Sequence, residues 1–202
     1  MAQRPVLNHV EMVYSPGDRE AARAFFETMG FMVSELENFP WLLVTVDPEA
    51  GWGVDNVMYA QESTPAQQNF EKALDKALGS DPELARTLER YLSVRRAYPQ
   101  YVFHFGASFP THEDWQGRVK RLQDANGSHP LLAGRIDMEV SEPDGPGASP
   151  LSQAFIYTDI IAVGPRQLAR LLFDLQWAPD LDFQKMDRRV ARREYPDRAS
   201  MV

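Results

Sequence analysis

The chain contains no cysteine. That excludes disulfides, thiolate nucleophiles and cysteine-bound zinc, so any metal would have to be held by histidine and carboxylate. No apolar run approaches the roughly 18 residues a membrane span requires. The opening decapeptide MAQRPVLNHV has no hydrophobic signal core, so a cytoplasmic protein without a membrane partner is expected. Nor do Lys and Arg run alone: the most basic stretch, DRRVARREYPDR, is interleaved with acids, and the net charge is -8. A nucleic-acid partner is therefore not expected. No G-x-S-x-G, Walker or dinucleotide glycine pattern occurs. GWG at 51–53 reads as a turn, and SEPDGPGASP at 141–150 as a loop with too little acidic alternation for calcium.

What is present suits a core. The 202 residues, 44% of them hydrophobic, suffice for one large domain or two compact modules of roughly 100 residues each. Pro5 to Tyr14 alternates Leu7, His9, Glu11 and Val13 with Val10, Met12 and Tyr14, the period of a half-buried strand. SPGDREAARAFFETMGF then predicts a helix. Ser15 is placed to cap it, with Pro16 at its first turn, and Gly30 stands where its end needs a positive φ. Ala22, Phe25, Phe26 and Met29 fall at helical spacing. Strands are predicted over Phe31–Leu36, Trp41–Val46 and Val54–Gln61, so residues 1–63 read as a βαβββ module.

The order recurs further on. Tyr101–Phe109 is β-prone, and Thr111 with Asp114 forms a capping box for a helix through Trp115, Val119 and Leu122. Strands are predicted over Leu131–Ala133, Arg135–Val140 and Gln153–Ile161, followed by a terminal helix over Arg166–Leu175. Residues 100–178 thus read as a second βαβββ-like module, and 179–202 as a charged tail. Between the modules, residues 64–99 form a helical insertion with an apolar stripe of Phe70, Leu74, Leu78, Leu84, Leu88, Tyr91 and Leu92. The stripe is open to three uses: a packed connector, a lid, or a face for a second subunit in a homodimer.

Two imidazoles lie inside apolar strand runs, His9 in LNHVEMV and His104 in YVFHFGA. The stretch HVEMVYSPGDREAARAFFETMGF resembles the opening of a vicinal oxygen chelate module, the superfamily of glyoxalase I, extradiol dioxygenases and bleomycin-resistance proteins. His9, Asp18, Phe25–Phe26 and Gly30–Phe31 fill the signature places. HFGASFPTHEDWQGRVKRLQ resembles a second opening, with His104 in the place of His9. The resemblance implies an α+β fold of two paired βαβββ modules whose sheet encloses a cavity, with a helical-hairpin insertion between them. It also implies a divalent transition metal, Fe, Mn, Ni or Zn, held by His9, His104 and a carboxylate on the last strand of a module.

For that carboxylate the second module offers Asp159. In the first, Met58 stands nearest the expected place, with Glu62 further along. Tyr157 is a candidate catalytic phenol or a packing residue, and Glu11, on the face of His9, a candidate base or reserve ligand. His112 and His129 read as surface residues, and Phe25, Phe26 and Trp115 as core. Trp41, Trp52, Tyr59 and Phe103 either line an apolar pocket or fill it.

Two functions follow. One is a metal-dependent isomerase, lyase or dioxygenase acting on a small molecule with neighbouring oxygens. The other is a metal-free protein of the bleomycin-resistance type that sequesters an apolar or aromatic small molecule.

Overall fold

The computed structural model describes residues 9–35, 37–47, 57–99, 103–142 and 151–178. The order is β1 (His9–Tyr14), α1 (Arg19–Thr28), β2 (Met32–Glu35), β3 (Leu42–Thr45), β4 (Val57–Glu62), α2 (Pro65–Ser80), α3 (Pro82–Ala97), β5 (Phe105–Ser108), α4 (His112–Ser128), β6 (Ile136–Ser141), β7 (Ser152–Ala162), α5 (Arg166–Ala169) and β8 (Arg170–Trp177). It is an α+β arrangement around one mixed eight-stranded sheet, ordered β2-β3-β4-β1-β7-β8-β5 with β6 also on β7. The strands β1 and β4 run parallel, as do β5 and β8. Trp52, the loop 143–150 and the tail 179–202 lie outside the described residues. No helix among the described residues is long and apolar enough to cross a membrane.

One face of the sheet is buried under α1 and α4. On β1 the alternation leaves His9 and Glu11 exposed and turns Met12 and Tyr14 into the core. Phe25 and Phe26 of α1 meet Phe173 of β8 at 5.8 and 6.1 Å between ring centroids. From α4, Trp115 donates its indole N–H to the Leu175 carbonyl at 2.8 Å, so a buried aromatic keeps its one polar atom satisfied. Gly30 ends α1 with φ +80, and its missing Cβ would collide with the Arg118 guanidinium. A side chain there would be strained by the positive φ, while the flexible Arg118 guanidinium could move aside.

Two predicted elements differ. Leu131–Ala133 is a turn, closed by bonds from Leu132 and Ala133 to the His129 carbonyl. The helix expected over Arg166–Leu175 stops at Ala169 and continues as β8. Leucines at 168, 171, 172 and 175 mimic helical spacing, yet Phe173, Leu175 and Trp177 alternate with Asp174 and Gln176. The alternation prevails because β8 fills a sheet position between β7 and β5. The first helix also begins later than expected, at Arg19 after Asp18 rather than after Ser15.

The helical insertion forms a hairpin fastened mainly by polar contacts. Thr64 and Asp81 cap its two helices, while Phe70, Leu84 and Tyr91 of the expected stripe stay exposed. Its buried residues are Glu71 and Arg95. Glu71, only 3% exposed, receives the Arg166 Nε at 2.9 Å and the Gln67 amide at 2.9 Å. Arg95 donates to the Leu168 carbonyl, and Arg96 reaches Asp137 at 2.6 Å and Glu139 at 2.9 Å on β6.

The two halves of the sheet share a short seam, where β1 and β7 pair through Val13 with Ala162 and Tyr14 with Ile161. Beside it, Arg135 donates two bonds to Asp18, at 2.9 and 3.0 Å, and a third from Nε to Asp159 at 2.9 Å. The hydrogen-bonded Asp18 carboxylate outweighs burial and, with Asp159, raises the Arg135 pKa further.

We expect Arg135→Ala to cost about 2–3 kcal/mol in urea unfolding, because it leaves two partly buried carboxylates without their shared cation. Burial pushes the Glu71 pKa up, but bonds from Gln67 and Arg166 prevail and hold it below the usual range. A depressed folded pKa stabilises above the unfolded value, about 4.3, and that stability is lost as pH falls through the folded value. The protection of α2 amides against hydrogen exchange, taken relative to the intrinsic rate at each pH, should therefore fall on acidification below about pH 4, and Glu71→Gln should show the lower protection already at neutral pH.

Candidate functional site

The sheet's other face carries the polar and aromatic side chains. Along β7, Gln153, Phe155, Tyr157 and Asp159 point away from the core, between buried Ala154, Ile156, Thr158 and Ile160. The register aligns Tyr157 with Asp137 on β6, and Phe155 with Glu139 on one side and Asp174 on the other. Gly106 of β5 completes that second row opposite Asp174.

The hairpin roofs part of this face and leaves a pocket of about 280 Å³, lined by Leu92, Arg95 and Arg96 from α3 and by Gly134, Arg135, Asp137, Tyr157, Thr158 and Asp159. Two of the sequence-predicted residues, Tyr157 and Asp159, thus share a cavity. The Arg96 guanidinium carbon lies 5.9 Å from the centroid of the Tyr157 ring. Burial, with the negative charge of Glu139 near it, pushes the phenol up to about 12. Tyr157 is accordingly a hydrogen-bond donor at neutral pH. Asp159 is engaged by Arg135.

The other predicted residues lie elsewhere. His9 is exposed rather than buried, edge-on to Tyr59 at 5.6 Å. Glu11 is exposed beside it, opposite Tyr59 in the register. Met58 points into the core at 5% exposure. Tyr59 takes the outward place on β4 and joins Trp41 and Phe39 in a surface aromatic chain. Glu62 ends β4 and is exposed. His104 is half-buried just before β5, edge-on to Phe155 at 6.5 Å. Phe103 is exposed against Phe105. In the strand order β7 and β8 stand between β1 and β5, so the strand of His9 and that of His104 are not neighbours. Among the described residues no three His, Asp or Glu side chains converge as a metal requires. The expected donor set of His9, His104 and Asp159 therefore does not fit the Fe, Mn, Ni or Zn ion that the resemblance implies.

Asp174 is the residue that the sequence reading passed over, since the helix expected there hid it. On β8 it is 1% exposed. Gln153 donates to its Oδ2 at 3.0 Å, Gln176 donates to the same oxygen, and Oδ1 has no partner among the described residues. Burial raises its pKa, against the glutamine bonds and His104, which lower it. The alternation in FDLQW was the signal that could have found it.

A carboxyl with a raised folded pKa binds its proton more tightly in the native state, so it costs stability as pH rises from the unfolded value, about 3.9, through the folded one. Asp174→Asn should therefore unfold at a higher temperature at pH 7, by roughly 2–4 °C for about 1 kcal/mol in a chain of this size. The gain should vanish below about pH 4, as calorimetry at the two pH values would show.

No family model and no curated protein matches the chain. Two solved structures are similar to it. One is hypothetical protein SA1046 from S. aureus, with 10% identity, a TM-score of 0.42, and coverage of 88% of this chain and 95% of that one. The other is protein PA1353 from Pseudomonas aeruginosa, with 11% identity, a TM-score of 0.43, and coverage of 88% and 100%.

Proposed function

We propose that this is a metal-independent binding protein of the vicinal oxygen chelate type, which takes a small aromatic molecule into the pocket between the helical hairpin and the β6–β7 face. The module reading is supported by a pairing that occurs twice, in which the first and last strands of a βαβββ run lie side by side and parallel. One observation carries the functional reading: Arg135 already holds Asp159. The pocket's predicted ligand carboxylate is thereby neutralised. What it offers a guest is the ring of Tyr157 and the apolar Leu92, beside an Arg96 guanidinium that Asp137 and Glu139 already hold.

Such a surface recognises a flat ring by stacking on Tyr157 and by apolar contact with Leu92. The volume of about 280 Å³ lies near the lower bound of ligand pockets, roughly 300 Å³, which suits a single-ring molecule.

The reading is tested with a panel of single-ring aromatic fragments, using ligand-observed NMR on chelator-treated protein. Hits should bind equally with and without added Fe, Mn, Ni or Zn. Tyr157→Ala and Leu92→Trp should each weaken them at least tenfold, one by removing the stacking surface and the other by filling the space. Hits that require added metal would return the reading to a metal-dependent enzyme, and hits indifferent to both substitutions would place binding elsewhere.

A further inference from the structure

Asp174 belongs to a separate cluster that the pocket does not use. It stands in a row across three strands, with Phe155 of β7 on one side and Gly106 of β5 on the other. Its residue exposure is 1%, yet only one of its two carboxylate oxygens is bonded. Both glutamine amides converge on Oδ2, from Gln153 and Gln176, and Oδ1 is buried with no partner among the described residues. An unmet carboxylate oxygen away from water costs folding free energy, and such a group calls for a partner or a use.

The surroundings indicate what that use is. A carboxylate accepts from several donors, and a charge-assisted bond from a cationic N–H is about twice as strong as a neutral one. Phe155 lies in the same row, His104 stands edge-on to it, and Phe103 is exposed nearby on the chain leading into β5. Phenylalanine faces such as those of Phe155 and Phe103 attract ammonium and guanidinium groups. A net charge of -8 draws cations toward the surface. The way in crosses Gly106, which is exposed on a terminal strand of the sheet order. A Cβ there would come within 3.8 Å of the Gln176 amide nitrogen. Gly106 puts no side chain on that shoulder, and Gln176, which closes it, is half-exposed and held to Asp174 by its amide.

We infer that Asp174 Oδ1 is the acceptor for the protonated nitrogen of an organic amine or amidine, which enters over Gly106 and rests against Phe155. This site goes beyond the hairpin pocket and does not depend on it.

Benzylamine is the probe and benzyl alcohol its neutral counterpart, each titrated into the chelator-treated full chain while the Gly106 amide is followed by NMR. Benzylamine should bind at least tenfold more tightly than the alcohol. Asp174→Asn, whose fold is checked by its thermal transition, should abolish that preference, and Gly106→Leu should block entry. Gln176→Ala should retain the preference, because it opens the approach and leaves Oδ1 untouched. Tyr157→Ala should leave the benzylamine titration read at the Gly106 amide unchanged, whatever it does to a ring in the hairpin pocket, which separates the two sites. The inference is overturned by equal affinity for the two probes, by a preference that survives in Asp174→Asn, or by no saturable binding of benzylamine. A stoichiometric divalent metal bound to wild type and lost from Asp174→Asn would also overturn it.

Discussion

The three bonds of Arg135 hold the architecture at its narrowest point. The sheet's halves meet through two residue pairs, and a seam so short would leave β1 and β7 weakly aligned. The guanidinium fork spans it, with two bonds to Asp18 ahead of α1 and one to Asp159 near the seam. A planar, permanently charged group suits this task where lysine would not, because its donors are fixed in direction and engage both carboxylates at once. Two consequences reach the face above. Asp18, at the start of α1, makes no side-chain capping bond, and Asp159 is no longer available as a lone anion.

The sequence made the local elements legible and left their assembly obscure. The first βαβββ run, both hairpin helices and α4 were readable because alternation, capping residues and glycine positions are local signals. Thr111 caps α4 as its spacing implies. The end of the second run was misread for a physical reason: four leucines at helical intervals competed with a two-residue alternation that only the neighbouring strands could settle. The error propagated, since mistaking β8 for a helix concealed Asp174 and left Asp159 as the acidic candidate.

The histidines teach a related lesson. An imidazole in an apolar run looks buried, but strand residues alternate between faces. His9 belongs to the face turned away from α1 and α4, and its aromatic neighbours Tyr59 and Trp41 come from strands adjacent in space rather than in sequence. Nor did sequence symmetry place His9 and His104 on neighbouring strands, because the β1–β7 seam sets β5 at the far end of the sheet order. The pocket residues Arg96 and Arg135 carry no motif at all. Their role arises from where the hairpin and the α4–β6 turn bring them.

The seam also bears on how the chain reaches this state. Pairs such as β2 with β3 and β7 with β8 close short loops and form early at little entropic cost. Joining β1 to the end of β7 closes a loop spanning most of the described chain, for the return of two residue pairs. Such a contact forms late, after each half has organised itself. Until then β1 is an open strand edge whose apolar residues are available to another copy. The interval in which that edge stays open lengthens with the entropy of closing the β1–β7 loop.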